Sequence, residues 1–336
     1  MEEGTALQQI EPAVDEPADR VGRRRLPRVD FLRDLVLLLA WLVIAAIFSF
    51  LSPYFLTVQN FRNIGMAISI IGIASVGATI VLVSAGIDLT VGSVIGLSVI
   101  TVGALLSLGI PVTGAVLGAL LAGGLVGVVN GLLIVKARIN PLIATLGMMS
   151  VIRGLAFVYS GGISHAIVSD SFSFLGGGRV AVIPLPIFVM GVLYIGVWAI
   201  MKYTDFGHYV YSVGDNAQAC RLAGVDVKRL RYIVYIVGAT AAALAGLFLA
   251  SLMKASLPQA GTGYELNVIA AVILGGTSLS GGIGNLLGTL LGVVIMGTLD
   301  NGFTLLNVPA FYQMIAKGLV LIVAVFVDQI RTGGYE

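Results

Sequence analysis

Charge, cysteine and histidine are scarce in this sequence. Only 11% of its 336 residues are charged, whereas 58% are hydrophobic and the mean hydropathy is +1.02. A soluble globular domain carries about 25% charged residues, so this chain lacks the polar surface that would cover a water-exposed body. The composition excludes a soluble enzyme and indicates that most of the chain lies in lipid. The balance of 19 basic and 17 acidic residues does not favour nucleic acid as a partner.

The few cysteine, histidine and lysine residues exclude several kinds of site. The single cysteine, Cys220, rules out an intrachain disulfide and a CxxC motif. His165 and His208 fall in loops on opposite sides of the predicted bundle, so no two-histidine metal site is expected. No lysine follows a glycine, which excludes a Walker A loop, and Gly282-Ile-Gly284 lacks the third glycine at dinucleotide-binding spacing. We expect no metal, no cofactor and no enzymatic activity.

Long apolar segments dominate the chain after a polar tail over residues 1–33. A membrane-spanning helix needs about 20 apolar residues. The first segment is too long for a signal peptide and lacks a clear cleavage pattern, which indicates an uncleaved span. Ten segments are predicted, at 35–51, 64–84, 91–108, 112–135, 141–159, 182–201, 232–252, 265–277, 283–303 and 311–328. The sequence predicts an all-α polytopic membrane helix bundle of about ten transmembrane helices over 34–330, in which 265–277 is short enough to be broken or re-entrant.

The distribution of basic residues predicts the orientation, because cytosolic loops hold most lysines and arginines. With the N-terminus inside, 14 of the 19 fall inside, namely Arg20, Arg23, Arg24, Arg25, Arg28, Arg33, Lys136, Arg138, Lys202, Arg221, Lys228, Arg229, Arg231 and Arg331. Three fall outside, namely Arg62, Arg179 and Lys254. Arg153 and Lys317 lie within spans. Both termini are therefore expected in the cytoplasm.

Glycine and alanine recur at four-residue spacing in several spans. Helices in lipid associate through close packing at small residues, so these stripes predict a compact bundle. They are Ala115, Ala119, Gly123, Gly127 and Gly131; Gly238, Ala242, Gly246 and Ala250; and Gly284, Gly288 and Gly292. The segment 86–92 also resembles the segment 276–282, which suggests two related halves, as in many transporter folds.

Three charged residues lie at membrane depth, where a charge is costly unless it is paired or hydrated. Arg153 and Lys317 either extend to the outer interface or pair with groups such as Glu265 or Asp300. Asp88 follows a helix break, where transport sites often lie, or it caps the helix beginning near residue 91. Among the acidic residues, only Asp88 is predicted to lie deep enough to hold a coupling ion.

The longest cytosolic loop, at about 203–231, contains a short predicted helix. Asp215 or Asn216 is a suitable N-cap, Ala217 to Ala223 are mostly good helix formers, and Gly224 suits a left-handed C-terminal position. A helix of about two turns is too weak to stand alone in water. It is either an ordinary interfacial helix or a docking element for another subunit.

This loop resembles the coupling segment of the permease subunits of bacterial sugar ABC importers of the ribose, xylose, arabinose and galactose type. Matching positions are Thr204, Phe206, Gly207, Tyr211, Gly214, Asn216, Ala219, Ala223 and Gly224, and departures are His208, Ser212, Cys220 and Val225. Three further blocks resemble the same family, at 86–93, at 130–154 and at 275–282 with 313–318. The resemblance covers about residues 55–328.

The resemblance implies a translocation subunit, with type II ABC importer-like architecture, for a monosaccharide such as a pentose or hexose. It implies a homodimer in the bacterial inner membrane, an ATP-binding cassette subunit on the cytosolic side and an extracytoplasmic sugar-binding protein. The expected coupling residues are Phe206, Gly207, His208, Tyr211, Gly214, Asp215, Asn216, Ala219, Arg221, Ala223 and Gly224. Candidate pathway or structural residues are Asp88, Asn130, Arg153, Gly276, Thr277, Ser278 and Lys317.

Three alternatives stay open at this point. A secondary transporter would couple transport to an ion held by buried carboxylates. A permease of the same superfamily could carry another solute, such as inositol or a branched-chain amino acid. A membrane scaffold without transport is disfavoured by the docking loop.

The predicted topology can be tested by cysteine labelling. A cysteine near Ser169 should react with an impermeant thiol reagent from outside, and one near Val227 only after the membrane is opened. Labelling of both positions from the same side would show that the number of spans is wrong by one.

Overall fold

The computed structural model describes residues 27–332, with side chains from 33 to 330 apart from residue 327. The polar tail predicted over 1–33 therefore lies outside the described residues up to residue 26. The helices in the described range are α1 Pro27–Leu51, α2 Val58–Val83, α3 Val91–Ser107, α4 Val112–Gly131, α5 Pro141–Ser160, α6 Asp170–Gly177, α7 Leu185–Tyr203, α8 Asp205–Leu222, α9 Val227–Met253, α10 Tyr264–Leu274, α11 Leu286–Leu305 and α12 Ala310–Thr332. A π-helical turn, Leu132–Lys136, continues α4.

Each of the ten predicted apolar segments coincides with a helix, which confirms the all-α membrane bundle. Eight helices in the described part of the chain are long and apolar enough to cross a membrane. The other two, α3 with 17 residues and α10 with 11 residues, are shorter. The sequence did not predict α6 or the first half of α8, and α9 begins at Val227 because Asp226 caps its charged first turn.

The strands are minor additions to this helical fold. Among the described residues, β1 His165–Ala166 pairs antiparallel with β4 Ala255–Ser256, and β2 Arg179–Val180 pairs with β3 Ile183–Pro184. The first pair joins the connection after α5 to the connection after α9, and the second pair forms a hairpin after α6.

Helices α2 and α9 form the centre of the bundle, and α9 packs against α2, α3 and α4. The small-residue stripe of α4 faces α9, which agrees with the close helix packing that the stripes predict. A Cβ on Gly127 would lie 2.6 Å from the Tyr235 carbonyl oxygen and 2.6 Å from the Ile236 Cα, so the two backbones touch. Helices α1 and α12 lie at the periphery and expose large apolar side chains, such as Val36 and Ile322, as lipid-facing helices do.

One end of the bundle, which we call the basic end, holds most of the described basic residues. It contains the start of α1, the end of α2, the π-turn, and the α7 to α9 connection. Its described basic residues are Arg33, Lys136, Arg138, Lys202, Arg221, Lys228, Arg229 and Arg231. At the opposite end, the Asn301 amide donates to the Asn60 side-chain oxygen at 2.8 Å.

Candidate functional site

Two irregular connections meet at the basic end. The first connection, residues 84–90, joins α2 to α3, and the second connection, residues 275–285, joins α10 to α11. The Gly282 amide donates to the Val83 carbonyl at 2.8 Å, and a Cβ on Gly281 would lie 2.5 Å from the Ala85 Cβ. The two connections, which contain the segments that resemble each other in sequence, are therefore direct neighbours.

Asp88 and Asn130 belong to one buried hydrogen-bond chain in the first connection. The Asn130 amide donates to the Thr90 hydroxyl at 3.2 Å, and that hydroxyl donates to Asp88 Oδ1 at 2.6 Å. The Thr90 backbone amide also donates to Asp88 Oδ1 at 2.8 Å. Asp88 thus fixes the turn that precedes α3, and it does not bond to the amides of the first turn of α3 itself.

The first connection is also bound from neighbouring helices. The Tyr235 hydroxyl of α9 donates to the Ile87 carbonyl at 3.3 Å. Asp88 Oδ2 and Asn130 Oδ1 are buried without a hydrogen-bond partner in the described part of the chain.

Gly276, Thr277 and Ser278 shape the second connection. Gly276 has φ of +86°, a conformation that favours glycine, and the Arg33 side chain occupies the space beside its Cα. Thr277 and Ser278 are buried, and the Ser278 hydroxyl donates to Asp328 Oδ2 at 3.3 Å. These residues hold the connection against α1 and α12.

The first half of α8 lies against both connections. Gly214 is buried where a Cβ would overlap the Val83 carbonyl oxygen and lie 2.5 Å from the Gly282 amide. The Tyr211 hydroxyl donates to the Gly284 carbonyl at 3.0 Å. Helix α8, which the sequence predicts to lie on the cytosolic side, therefore contacts both the first and the second connection.

Helix α8 bends at Asn216, and this bend creates a short tip helix over residues 217–222. Asn216 has φ of −150° and ψ of 91°, and its side-chain oxygen accepts from the amides of Gln218 at 3.1 Å and Ala219 at 2.9 Å. Gly224 follows with φ of +88°. The capping residues predicted from the sequence are confirmed, whereas the helical residues 205–215 correct the prediction of a loop there.

The coupling residues divide into a buried set and an exposed set. Phe206, Gly207, Tyr211 and Gly214 are buried or half-buried against the bundle, and the exposed ones are His208, Asp215, Asn216, Ala219, Arg221, Ala223 and Gly224. Leu222, which the sequence reading missed, is 84% exposed at the tip. The sequence does contain a signal for it, because Leu222 is an apolar residue three positions after Ala219 and therefore on the same side of the short helix.

A basic cavity of about 450 Å³ lies beside the tip helix. It is bounded by the π-turn and by the starts of α5 and α9. Its basic lining residues are Arg138, Arg221, Lys228 and Arg231. This surface suits an acidic partner group.

Arg153 and Lys317 both find partners within the protein. The Arg153 guanidinium donates to the carbonyls of Ala260 at 2.6 Å and Pro258 at 3.2 Å. Lys317 forms an ion pair with Asp300 at 2.8 Å, which confirms the predicted pairing over an extension of the side chain to the outer interface. The predicted pathway residues therefore lie in three places: the first connection, the second connection, and a separate region around Arg153 and Lys317.

Comparison with known proteins agrees with this architecture. The model of the family described as "Branched-chain amino acid transport system / permease component" matches residues 60–325. The ribose import permease protein RbsC of Escherichia coli (strain K12) is 40% identical over 311 residues, which are 91% of this chain and 97% of that protein.

Two further relatives cover most of the chain. The ribose import permease protein RbsC of Bacillus subtilis (strain 168) is 40% identical over 289 residues, 85% of this chain and 90% of that protein. The L-arabinose transport system permease protein AraH of Escherichia coli (strain K12) is 38% identical over 279 residues, 83% of this chain and 85% of that protein. No solved structure matches the chain.

Substitution of Gly214 tests the contact between α8 and the two connections. Gly214→Ala should destabilise the protein by about 1–3 kcal/mol, because the added methyl group overlaps the Val83 carbonyl. The measurement is the thermal unfolding midpoint in detergent. Gly147→Ala on α5 is the control, since no atom of the described chain lies within 4 Å of its Cβ position. Equal midpoints for the two variants would contradict the packing described here.

Proposed function

This chain belongs to the family of branched-chain amino acid transport system permease components, and we propose that it is the translocation subunit of an ATP-driven monosaccharide importer. The observation that carries the proposal is the 40% identity to a ribose import permease over 91% of the chain. The eight long apolar helices and the two irregular connections between helices at the basic end support a transport role over a purely structural one.

In this proposal, a separate ATP-binding cassette subunit supplies the energy. The sequence has no Walker A loop, so ATP must be hydrolysed elsewhere. The docking surface would be the tip helix, with exposed Ala219, Leu222 and Ala223, and the adjacent basic cavity. An exposed apolar helix end beside a basic cavity can bind a groove on a partner protein that has an acidic rim.

The position of α8 suggests how a movement of that partner would reach the bundle. A push on the tip helix is transmitted through Gly214 and Tyr211 to both connections, and thus to the ends of α2, α3, α10 and α11. A ligand or partner shifts such an equilibrium only by binding one state more tightly. The ATPase would bias the bundle between outward-open and inward-open states, without covalent chemistry in this chain.

We place the basic end in the cytoplasm of a bacterium, with the chain in the inner membrane and both termini inside. The clustering of Arg33, Lys136, Lys202 and Lys228 at that end supports this orientation. The opposite end would receive sugar from an extracytoplasmic binding protein. Two copies of the chain would form the pathway between them.

Two other functions are less well supported. The family description names branched-chain amino acids, but the ribose and arabinose permeases cover 83–91% of this chain at 38–40% identity, which favours a sugar. An ion-coupled transporter needs free buried carboxylates. The sequence predicted only Asp88 at depth, and Glu265 and Asp300 lie within the helical region as well. Asp300 is paired with Lys317 at 2.8 Å. Asp88 and Glu265 each have one buried carboxylate oxygen without a hydrogen-bond partner among the described residues, so it is the similarity to an L-arabinose ABC transporter permease that disfavours ion coupling.

Reconstitution in liposomes tests the energy source. The purified chain alone should neither hydrolyse ATP nor accumulate ribose or arabinose, and uptake should require an ATP-binding cassette subunit and a binding protein. Radiolabelled sugar uptake and phosphate release are the measurements. Concentrative uptake by the lone chain in a proton or sodium gradient would establish the secondary transporter instead.

Loss of the caps of the tip helix should uncouple ATP hydrolysis from transport. Asn216→Leu removes both accepted hydrogen bonds, and a lost cap typically costs about 0.5–2 kcal/mol. Gly224→Pro replaces a φ of +88° by a ring that requires about −65°. Either change is severe for a two-turn helix and small for the bundle.

The measurements are pull-down of the ATPase and sugar uptake, with membrane expression as the reference. Asn216→Asp, which keeps an acceptor oxygen at the cap, is the matched control and should retain uptake. Unchanged uptake in both Asn216→Leu and Gly224→Pro would show that the tip helix is only a connector.

A further inference from the structure

The segment 257–263, which we call the re-entrant segment, has no regular secondary structure and descends along α3. It connects β4 to α10. A Cβ on Gly103 would lie 2.5 Å from Ser256, and a Cβ on Gly96 would lie 2.6 Å from the Ala260 carbonyl oxygen. Gly261 contacts Gly92, which lies one helical turn closer to the start of α3 than Gly96. The chain thus passes along about 16 Å of α3 between Ser256 and Gly261, at 1.5 Å per helical residue.

This descent brings the re-entrant segment near the middle of the bundle. Gly96 lies about 7 Å from the start of α3 at Val91 and about 16 Å from its end at Ser107. Arg153, which binds the same segment, lies about 18 Å from the start of α5 at Pro141 and about 10 Å from its end. Both helices place the segment inside the hydrocarbon depth of a bilayer about 30 Å thick.

Non-helical backbone at this depth requires partners. The Arg153 guanidinium donates hydrogen bonds to the backbone carbonyls of two buried residues, Pro258 and Ala260. The side chains of Gln259 and Thr262 are exposed, and the Thr262 hydroxyl donates to the Gln259 carbonyl at 2.7 Å. The Gln259 side-chain amide has no hydrogen-bond partner among the described residues.

Lipid cannot satisfy the exposed Gln259 side-chain amide. Irregular backbone at membrane depth occurs only where it is buried in protein or lines a water-filled cavity. A cavity of about 440 Å³ adjoins Thr262. Its polar lining residues are Thr262, Tyr264, Asn267, Asp300 and Lys317.

The chemistry of this cavity suits an uncharged polyhydroxylated solute. Ligand pockets commonly measure about 300–1,000 Å³. The amide and hydroxyl side chains both donate and accept hydrogen bonds, as sugar hydroxyls do. The Asp300–Lys317 pair at 2.8 Å is neutral as a unit and therefore does not favour an ion.

We propose that the re-entrant segment and its adjoining cavity line the solute passage at mid-depth, where Gln259 and Thr262 form hydrogen bonds with the passing sugar. This inference rests on the proposed function for the identity of the solute. Arg153 holds the segment in place from behind, and the passage lies on the exposed side, where a second copy of the chain would close it from lipid. The first and second connections then serve the coupling to α8 and do not contact the sugar.

Water accessibility tests the passage independently of the solute. Cys220→Ala gives a background without cysteine, into which Gln259→Cys, Thr262→Cys and, as a lipid-facing control, Leu42→Cys are introduced. In the membrane-embedded complex, a charged methanethiosulfonate should modify cysteines 259 and 262 at least roughly tenfold faster than cysteine 42, because charge is excluded from hydrocarbon. Rates equal to that of cysteine 42 would overturn the proposal.

Uptake tests the hydrogen bonds with sugar. Gln259→Leu and Thr262→Val should each lower ribose or arabinose uptake about five- to tenfold, the change expected for one net hydrogen bond, with unchanged amounts of assembled complex. Leu42→Ala, on the lipid-facing side of α1, is the control and should leave uptake unchanged. Normal uptake in both variants would overturn the role of these two residues.

The two experiments separate this inference from the proposed function. If the unaltered complex imports none of a panel of pentoses and hexoses that includes ribose and arabinose, the proposed function fails, while labelling at positions 259 and 262 still reports whether the passage is there. If the unaltered complex imports sugar and the two cysteines remain unreactive, the passage lies elsewhere and only this inference fails.

Discussion

The structure depends on one constraint, which is that lipid offers no hydrogen bonds to a peptide backbone. Long helices satisfy their own amides and carbonyls, and eight such helices account for most of the described chain. The informative places are those where the helices stop inside the bundle. There the protein supplies partners itself, from Asn130 and Tyr235 for the first connection and from Arg153 for the segment before α10.

In the proposed mechanism, the same constraint separates the coupling contacts from the solute passage. Both connections at the basic end are enclosed, with buried Asp88, Thr277 and Ser278, and both contact α8. The segment before α10 instead exposes the polar side chains of Gln259 and Thr262. In the proposed mechanism, a movement imposed on α8 would act first on the helix ends around the two connections and would reach the proposed passage through α3 and α10.

The sequence predicts what depends on local chemistry. Apolar length predicted every long apolar helix, and the residue types of Asn216 and Gly224 predicted the tip helix, because caps and left-handed positions depend on a few adjacent residues. The sequence did not determine which side chains contact residues that are distant along the chain. The Asp300–Lys317 pair was one of two alternatives, and the role of Arg153 toward the Ala260 carbonyl is set by the path of a segment more than 100 residues away. The helix at 205–215 was missed because its stabilising contacts, through Gly214 and Tyr211, lie on α2 and the second connection.

The contact between α4 and α9 has a mechanical consequence. At Gly127, the backbone of α4 rests directly on that of α9, and Gly123 and Gly131 continue this contact against Ala243 and Tyr232. No flexible side chain at Gly127 separates the two helices there, so no rotamer change can let one slide past the other. We expect this pair to move as one unit in a transport cycle, and α3 with it, because a Cβ on Gly246 of α9 would lie 2.6 Å from the Ile95 carbonyl oxygen of α3. Rearrangement would then fall on the elements packed around them, above all the bent α8 and the short helix α10.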